Sequence, residues 1–241
     1  MKTKAAWSAQ LSTVQVQSIS GAVALKLRDA ILTGELKPGE RLVEQKVAKL
    51  FGIGQPTLRE ALKELEYQGF VRKSPKRGTY VTQLSQEDIR KMFEVRMALE
   101  SLAVYQAAQN LTDAAVRDLE ELLRSMELAA QRMDLPAYHR IDLAFHTRIW
   151  NLSGNEYLRA ALERIAFGLF AFLMLKDKDS PNSYVSALEQ HRTILRGLRS
   201  GSPQSARTIF VETTCRHWKE LRYLDVADSF FETISSNLPA E

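Results

Sequence analysis

A chain of 241 residues, 45% hydrophobic and 26% charged, has the composition of a soluble protein and length enough for two domains. No apolar run reaches the roughly 20 residues of a membrane span, and the polar N-terminus lacks a signal core. The single cysteine, Cys215, excludes an intrachain disulfide framework. These features predict a cytoplasmic protein with no membrane partner. The net charge of +4 is uneven: residues 18–83 hold 12 Lys/Arg against 7 Asp/Glu, whereas residues 84–241 hold 19 against 22. A basic front and a mildly acidic back suggest two separate tasks.

Residues 1–17 lack helical periodicity and are expected to form a flexible tail. Three helical patterns follow. The first has Val23, Leu27, Ile31 and Leu32 at helical spacing. "LKPGERL" is a Pro-Gly turn, and "VEQKVAKLFG" is a short helix stopped by Gly52. "GQPTLREALKELEYQGF" points Leu58, Leu62 and Leu65 inward and stops at Gly69. "FVRKSPKRGTYV" then changes period and reads as a small hairpin with a basic turn. Three helices and a basic hairpin make a winged helix-turn-helix over residues 18–83.

In such a module the N-terminal end of the last helix reaches base edges. Here that end offers Gln55, Thr57 and Arg59, residue types able to bond bases or phosphates. The hairpin offers Lys76 and Arg77, with Gly78, to phosphate or the minor groove. The competing reading pairs Arg59 with Glu60 or Glu64 on a solvated face.

Residues 84–88 form a linker. Beyond it the chain reads as helices at roughly 86–109, 112–132, 135–153, 156–176, 183–200 and 203–224, with Thr112 as an N-cap and Pro136 and Pro203 in first turns. Loops are short and strand signals absent, so residues 89–224 predict an antiparallel helical bundle. The overall expectation is a mainly α protein, with residues 225–241 as a tail.

The third bundle helix is apolar on most sides, with Ile141, Leu143, Ala144, Phe145, Ile149, Trp150 and Leu152. Asp142 and His146 lie one turn apart on one face of it. His191 lies in the row Tyr184, Ala187, Leu188, Leu195, Leu198, and His217 in the row Phe210, Thr213, Thr214, Leu221, Leu224. A lone inward histidine is usually a satisfied core residue. Three of them with an aspartate predict one shared divalent metal: zinc, with nickel or manganese as alternatives. His139, two turns from His146, reads as structural, and Cys215 as a buried thiol. Arg96 shares a face with Ile89, Phe93, Leu99 and Ala103. Its anion is either Glu100, four residues on, or the carboxylate of a small ligand.

The run from Ile31 to Val81 resembles the DNA-binding domain of GntR-family transcriptional regulators. It matches at Gly34, Pro38-Gly39, Leu42, Leu50–Gly52, Leu58-Arg59-Glu60-Ala61-Leu62, Leu65, Gly69 and Arg77-Gly78. The family usually has Ser-Arg-Thr-Pro where this chain has Gly54-Gln55-Pro56-Thr57, so the family arginine's base contact does not carry over. "FEVRMALESLAVYQAA", "DLAFHTRIWNLSGNEYL", "LEQHRTILRGLRSGSPQSA" and "TTCRHWKEL" resemble the ligand-binding (FCD) domain of the FadR-type branch. The resemblance implies Asp142, His146, His191 and His217 as metal ligands, and Arg96 as the effector-binding arginine. It also implies a homodimer on double-stranded operator DNA. The resulting expectation is a metabolite-responsive regulator, a repressor, sensing a small carboxylic acid. The rivals are a metal-dependent enzyme, a pure metal sensor and a purely structural ion. No H-E-x-x-H motif supports the enzyme.

Overall fold

The computed structural model describes residues 18–177, 183–220, 222 and 228–236. The expected tails at 1–17 and at the extreme C-terminus, and the positions of Leu221 and Leu224, lie outside them.

Helix α1 (Ile19–Leu32) starts at Ser18, whose side chain accepts from the Gly21 N–H. Strand β1 (Arg41–Leu42) follows the Pro-Gly turn, then α2 (Glu44–Phe51) and α3 (Gln55–Tyr67). Gly52 adopts the left-handed conformation, φ +64°, that ends α2 and turns the chain into α3. Strands β2 (Val71–Ser74) and β3 (Gly78–Val81) form the expected hairpin. The sheet has three strands, not two: Arg41 and Leu42 pair antiparallel with Tyr80 and Thr79, giving the order β1-β3-β2. Two residues are too few to leave a period in sequence. Val23, Leu27, Ile31, Leu58, Leu62, Leu65, Phe70 and Val81 make the core of this unit.

Residues 82–85 connect it to the bundle. Ser85 and Asp88 form a capping box that starts α4 (Gln86–Gln109), so the connection is shorter than the expected linker at 84–88. Thr112 caps α5 (Asp113–Gln131) by accepting from the Ala115 N–H. Asp134 caps α6 (Leu135–Leu152) in the same way. Helices α7 (Glu156–Asp177), α8 (Ser183–Leu198) and α9 (Pro203–Glu220) complete the bundle near the expected bounds. The region expected as a tail at 225–241 holds a further helix, α10 (Asp228–Ser236). Phe231 of α10 meets Phe93 edge-on, ring centroids 5.8 Å apart, which gives this short helix an apolar anchor.

The bundle core collects Phe93, Met97, Leu119, Met126, Phe145, Ile149, Leu195, Phe210 and Trp218 from α4, α5, α6, α8 and α9. Helix α6 is buried or half-buried at every position but Arg140, Ala144 and Asn151, as its apolar residues on most sides predict. The side of α6 bearing these three faces the DNA-binding unit rather than the core.

Candidate metal centre and nucleic-acid interface

Five helices meet around a small interior cavity lined by Arg96 of α4, Asp142 and His146 of α6, Phe170 of α7, Gln190 and His191 of α8, and His217 of α9. One ligand atom from each of Asp142, His146 and His191 lies within 4.8 Å of the others, and all three residues are buried. Asp142 Oδ1 is 2.7 Å from His191 Nε2 and 3.5 Å from His146 Nε2. His217 lies outside this tight group, though it lines the same cavity. Its Nδ1 is 3.2 Å from Ser186 Oγ.

The partners of the two imidazoles set their tautomers. His191 Nδ1 donates to the Ala187 carbonyl at 2.5 Å. His146 Nδ1 donates to Glu100 Oε1. Each ring therefore turns Nε2 toward Asp142, the arrangement in which metal-binding histidines are held by their other nitrogen. A carboxylate has no proton to give, so the 2.7 Å contact between Asp142 and His191 needs a proton or a cation between them. Burial disfavours charge on both groups, but each stabilises the other's charge. The Asp142 pKa falls far below the ordinary carboxylate range and that of His191 rises. Burial and the neighbouring His191 push His217 down to about 4, leaving it neutral near pH 7. The donor set, one carboxylate and imidazole nitrogens around a buried cavity, fits a divalent first-row metal such as zinc.

The anion beside Arg96 is Glu100. Arg96 Nε donates to Glu100 Oε2 at 2.6 Å, with both side chains buried. Of the two partners open to Arg96 in sequence, the intrahelical one is present here. Glu100 also accepts from Trp150 Nε1 at 3.0 Å, so one carboxylate ties Arg96, His146 and Trp150 together. Burial would raise its pKa, yet Arg96 and His146 outweigh that and hold it at about 2. An Arg96 terminal nitrogen lies 3.5 Å from His146 Nε2, beside the cluster.

Sequence reasoning saw Glu100 only as a partner for Arg96. Its second role was readable in part, since Glu100 shares the inward row of Phe93, Arg96 and Ala107. Gln190 was missed. It is buried, donates to Thr214 Oγ1 at 3.0 Å and lines the cavity, but it sits one position off the α8 stripe. His139 is buried and lines the same cavity, and burial lowers its pKa.

The cavity holds about 30 Å³, enough for an ion and little more, against the several hundred Å³ of ordinary ligand pockets. On one side Gln190 and His217 also line an open groove of about 570 Å³ between α8 and α9.

At the other end of the chain, Gln55 and Arg59 stand exposed on the first turns of α3, with Thr57 half-buried beside them. Arg59 does not pair with Glu60 or Glu64. Its Nε donates to Glu44 of α2 at 2.8 Å, and its NH2 lies 3.4 Å from Gln55 Oε1. Glu60 instead pairs with Lys63 at 2.8 Å. No side chain caps α3, as expected from Gly54 at the N-cap. The hairpin turn exposes Lys73, Lys76 and Arg77. Arg77 N–H donates to the Ser74 carbonyl at 3.0 Å, closing a turn with Pro75 second and Lys76 third. Lys76 has φ +62°, the left-handed value that a type II turn requires at its third position.

An exposed recognition-helix end beside a basic wing, joined to a helical bundle around a buried Asp–His cluster, defines a two-domain DNA-binding regulator. The comparisons with known proteins agree. Residues 19–81 match the family described as bacterial regulatory proteins, gntR family, and residues 91–214 match the FCD domain. An HTH-type transcriptional regulator of Streptomyces ambofaciens is 30% identical over 77% of this chain and 78% of its own length. The HTH-type regulator YdhC of Bacillus subtilis is 27% identical over 76% of this chain and 81% of its own. The repressor RspR of Escherichia coli is 26% identical over 76% and 80%. The solved structure of E. coli McbR/YncC superposes with a TM-score of 0.73 at 23% identity, covering 85% of this chain and 97% of that one, which establishes the shared fold. The chain belongs to the GntR family of bacterial regulators, in the group with an FCD C-terminal domain. It is a transcriptional regulator and not an enzyme. Among the described residues no helix is long and apolar enough to cross a membrane.

Proposed function

We propose that this regulator is a cytoplasmic repressor that binds palindromic operator DNA as a homodimer and answers a small carboxylic acid through a divalent-metal centre. The observation that carries the reading is the convergence of Asp142, His146 and His191, with both histidine tautomers held by outer partners. His217, on the same cavity wall, would be the fourth ligand. When bound, the ion would neutralise the Asp142 carboxylate and attract an effector carboxylate.

Arg96 supplies the second anchor. Glu100 engages its Nε and one terminal nitrogen lies 3.5 Å from His146 Nε2, so a ligand carboxylate would take the remaining guanidinium N–H groups. A multi-atom acid needs a wider cavity than 30 Å³, so binding would favour a more open bundle. A ligand shifts that equilibrium only by its differential affinity for the two arrangements. Two-fold symmetry would set two copies of α3 on operator half-sites, with Gln55, Thr57 and Arg59 toward bases and Lys76 and Arg77, beside Gly78, toward the backbone.

The test is a thermal-shift screen of small carboxylic acids on zinc-loaded protein, repeated with Arg96→Ala. At least one acid should raise the wild-type melting temperature and fail to raise that of the variant. Finding no stabilising acid would refute the effector reading. The small cavity favours one other reading, in which the ion only braces α6, α8 and α9. It predicts that His146→Ala lowers the melting temperature and leaves effector-driven release from DNA intact.

A further inference from the structure

On the outer side of α6 lies a crevice between the two domains, about 500 Å³ in volume. Leu32 of α1 and Phe70 face it from the DNA-binding unit. Leu122 of α5, Leu143 of α6 and Phe170 of α7 complete an apolar wall. This volume lies within the range of small-molecule pockets. His139 and Phe170 line both this crevice and the metal cavity, so they form the partition between the two.

The polar groups here are one-sided. Arg28, Arg140 and Arg148 line the crevice, and no acidic residue does so among the described residues. Arg148 is paired with Asp118 at 2.8 Å. Arg140 makes no ion pair among the described residues and is exposed at the rim. Arg28 Nε is buried with no hydrogen-bond partner there. A buried guanidinium N–H without an acceptor is costly, and an anion would satisfy it.

We propose that this crevice is a second ligand site, separate from the metal cavity, and that it takes an amphipathic organic anion. The anionic head lies at Arg28 and Arg140, and the apolar body lies between Leu32, Phe70, Leu143 and Phe170. A ligand there touches α1 and α6 at once. Helix α1 packs directly on the recognition helix α3. Occupancy therefore ties the position of the DNA-reading unit to the bundle without passing through the ion.

The test uses the full-length protein and two probes of one shape, naphthalene-2-carboxylate and uncharged naphthalene-2-carboxamide, in titration calorimetry with and without a chelator. The carboxylate should bind at least tenfold more tightly than the amide, and equally well after chelation. Arg28→Met should weaken it at least tenfold. Ala144→Trp, which fills the crevice from an exposed position, should abolish binding while the circular dichroism spectrum stays unchanged. Absence of carboxylate binding, equal affinity for the amide, undiminished affinity in both variants, or loss of binding on chelation would each overturn the proposal. The last outcome would assign the probe to the metal cavity.

Discussion

Glu100→Gln should destabilise the chelated protein by about 3 kcal/mol at pH 7. The carboxylate is fully buried and accepts from Arg96, His146 and Trp150. Its pKa falls from 4.5 to about 2, a preference for the folded ionised form of about 3 kcal/mol. A second route reaches the same size. Glutamine removes the charge, turns an NH2 group against one of three donors and leaves Arg96 buried without its anion, and a broken buried pair costs about 3–5 kcal/mol. At about 2–4 °C per kcal/mol, the melting temperature should drop by about 6–12 °C.

The sign with pH follows from a depressed carboxylate. Its contribution is complete above the unfolded pKa of 4.5 and is lost as pH falls toward about 2. The wild type should therefore lose its advantage over Glu100→Gln in acid. The double variant Arg96→Met, Glu100→Leu should recover most of the loss, because apolar groups remove both buried charges together. Calorimetric unfolding from pH 3 to 8 measures all of this. A difference under about 1 kcal/mol at pH 7, or one that persists unchanged at pH 3, would show that Glu100 does not hold this cluster.

Three further outcomes follow from the same geometry. His191→Ala and Asp142→Ala should each weaken zinc binding by about 100-fold or more in chelator competition, while His217→Ala, outside the tight group, should weaken it less. In the metal-free protein the raised pKa of His191 contributes stability that is present below its ordinary 6.5 and lost as pH rises through the folded value. Metal-free melting temperatures should fall as pH rises above 6.5, and those of zinc-loaded protein should not, because the ion then takes the proton's place. Lys76→Gly relieves a left-handed lysine at φ +62° and should raise stability by about 0.5–1 kcal/mol. It also removes a wing cation, so the slope of log operator affinity against log salt should shrink by about 1.

Local rules make much of this protein legible in its amino-acid sequence. Ser and Thr caps, Gly52 at φ +64° and the 3.6-residue period place helix ends within a few residues, because these signals act within one or two turns. The same period turns Asp142, His146, His191 and His217 inward. Periodicity says which way a side chain faces, but not which side chain of another helix it meets. The partners of His146 and Asp142 lie 46 and 49 residues away, at Glu100 and His191, and only helix packing selects them. Packing also decided that Arg96 sits on Glu100, that His217 stands back from the other three, and that Arg59 leans on Glu44. The two-residue strand β1 and the crevice behind α6 have no local signature at all. Each arises where segments distant in sequence come together, one by backbone pairing across the wing and the other by an incomplete fit between two separately folded units.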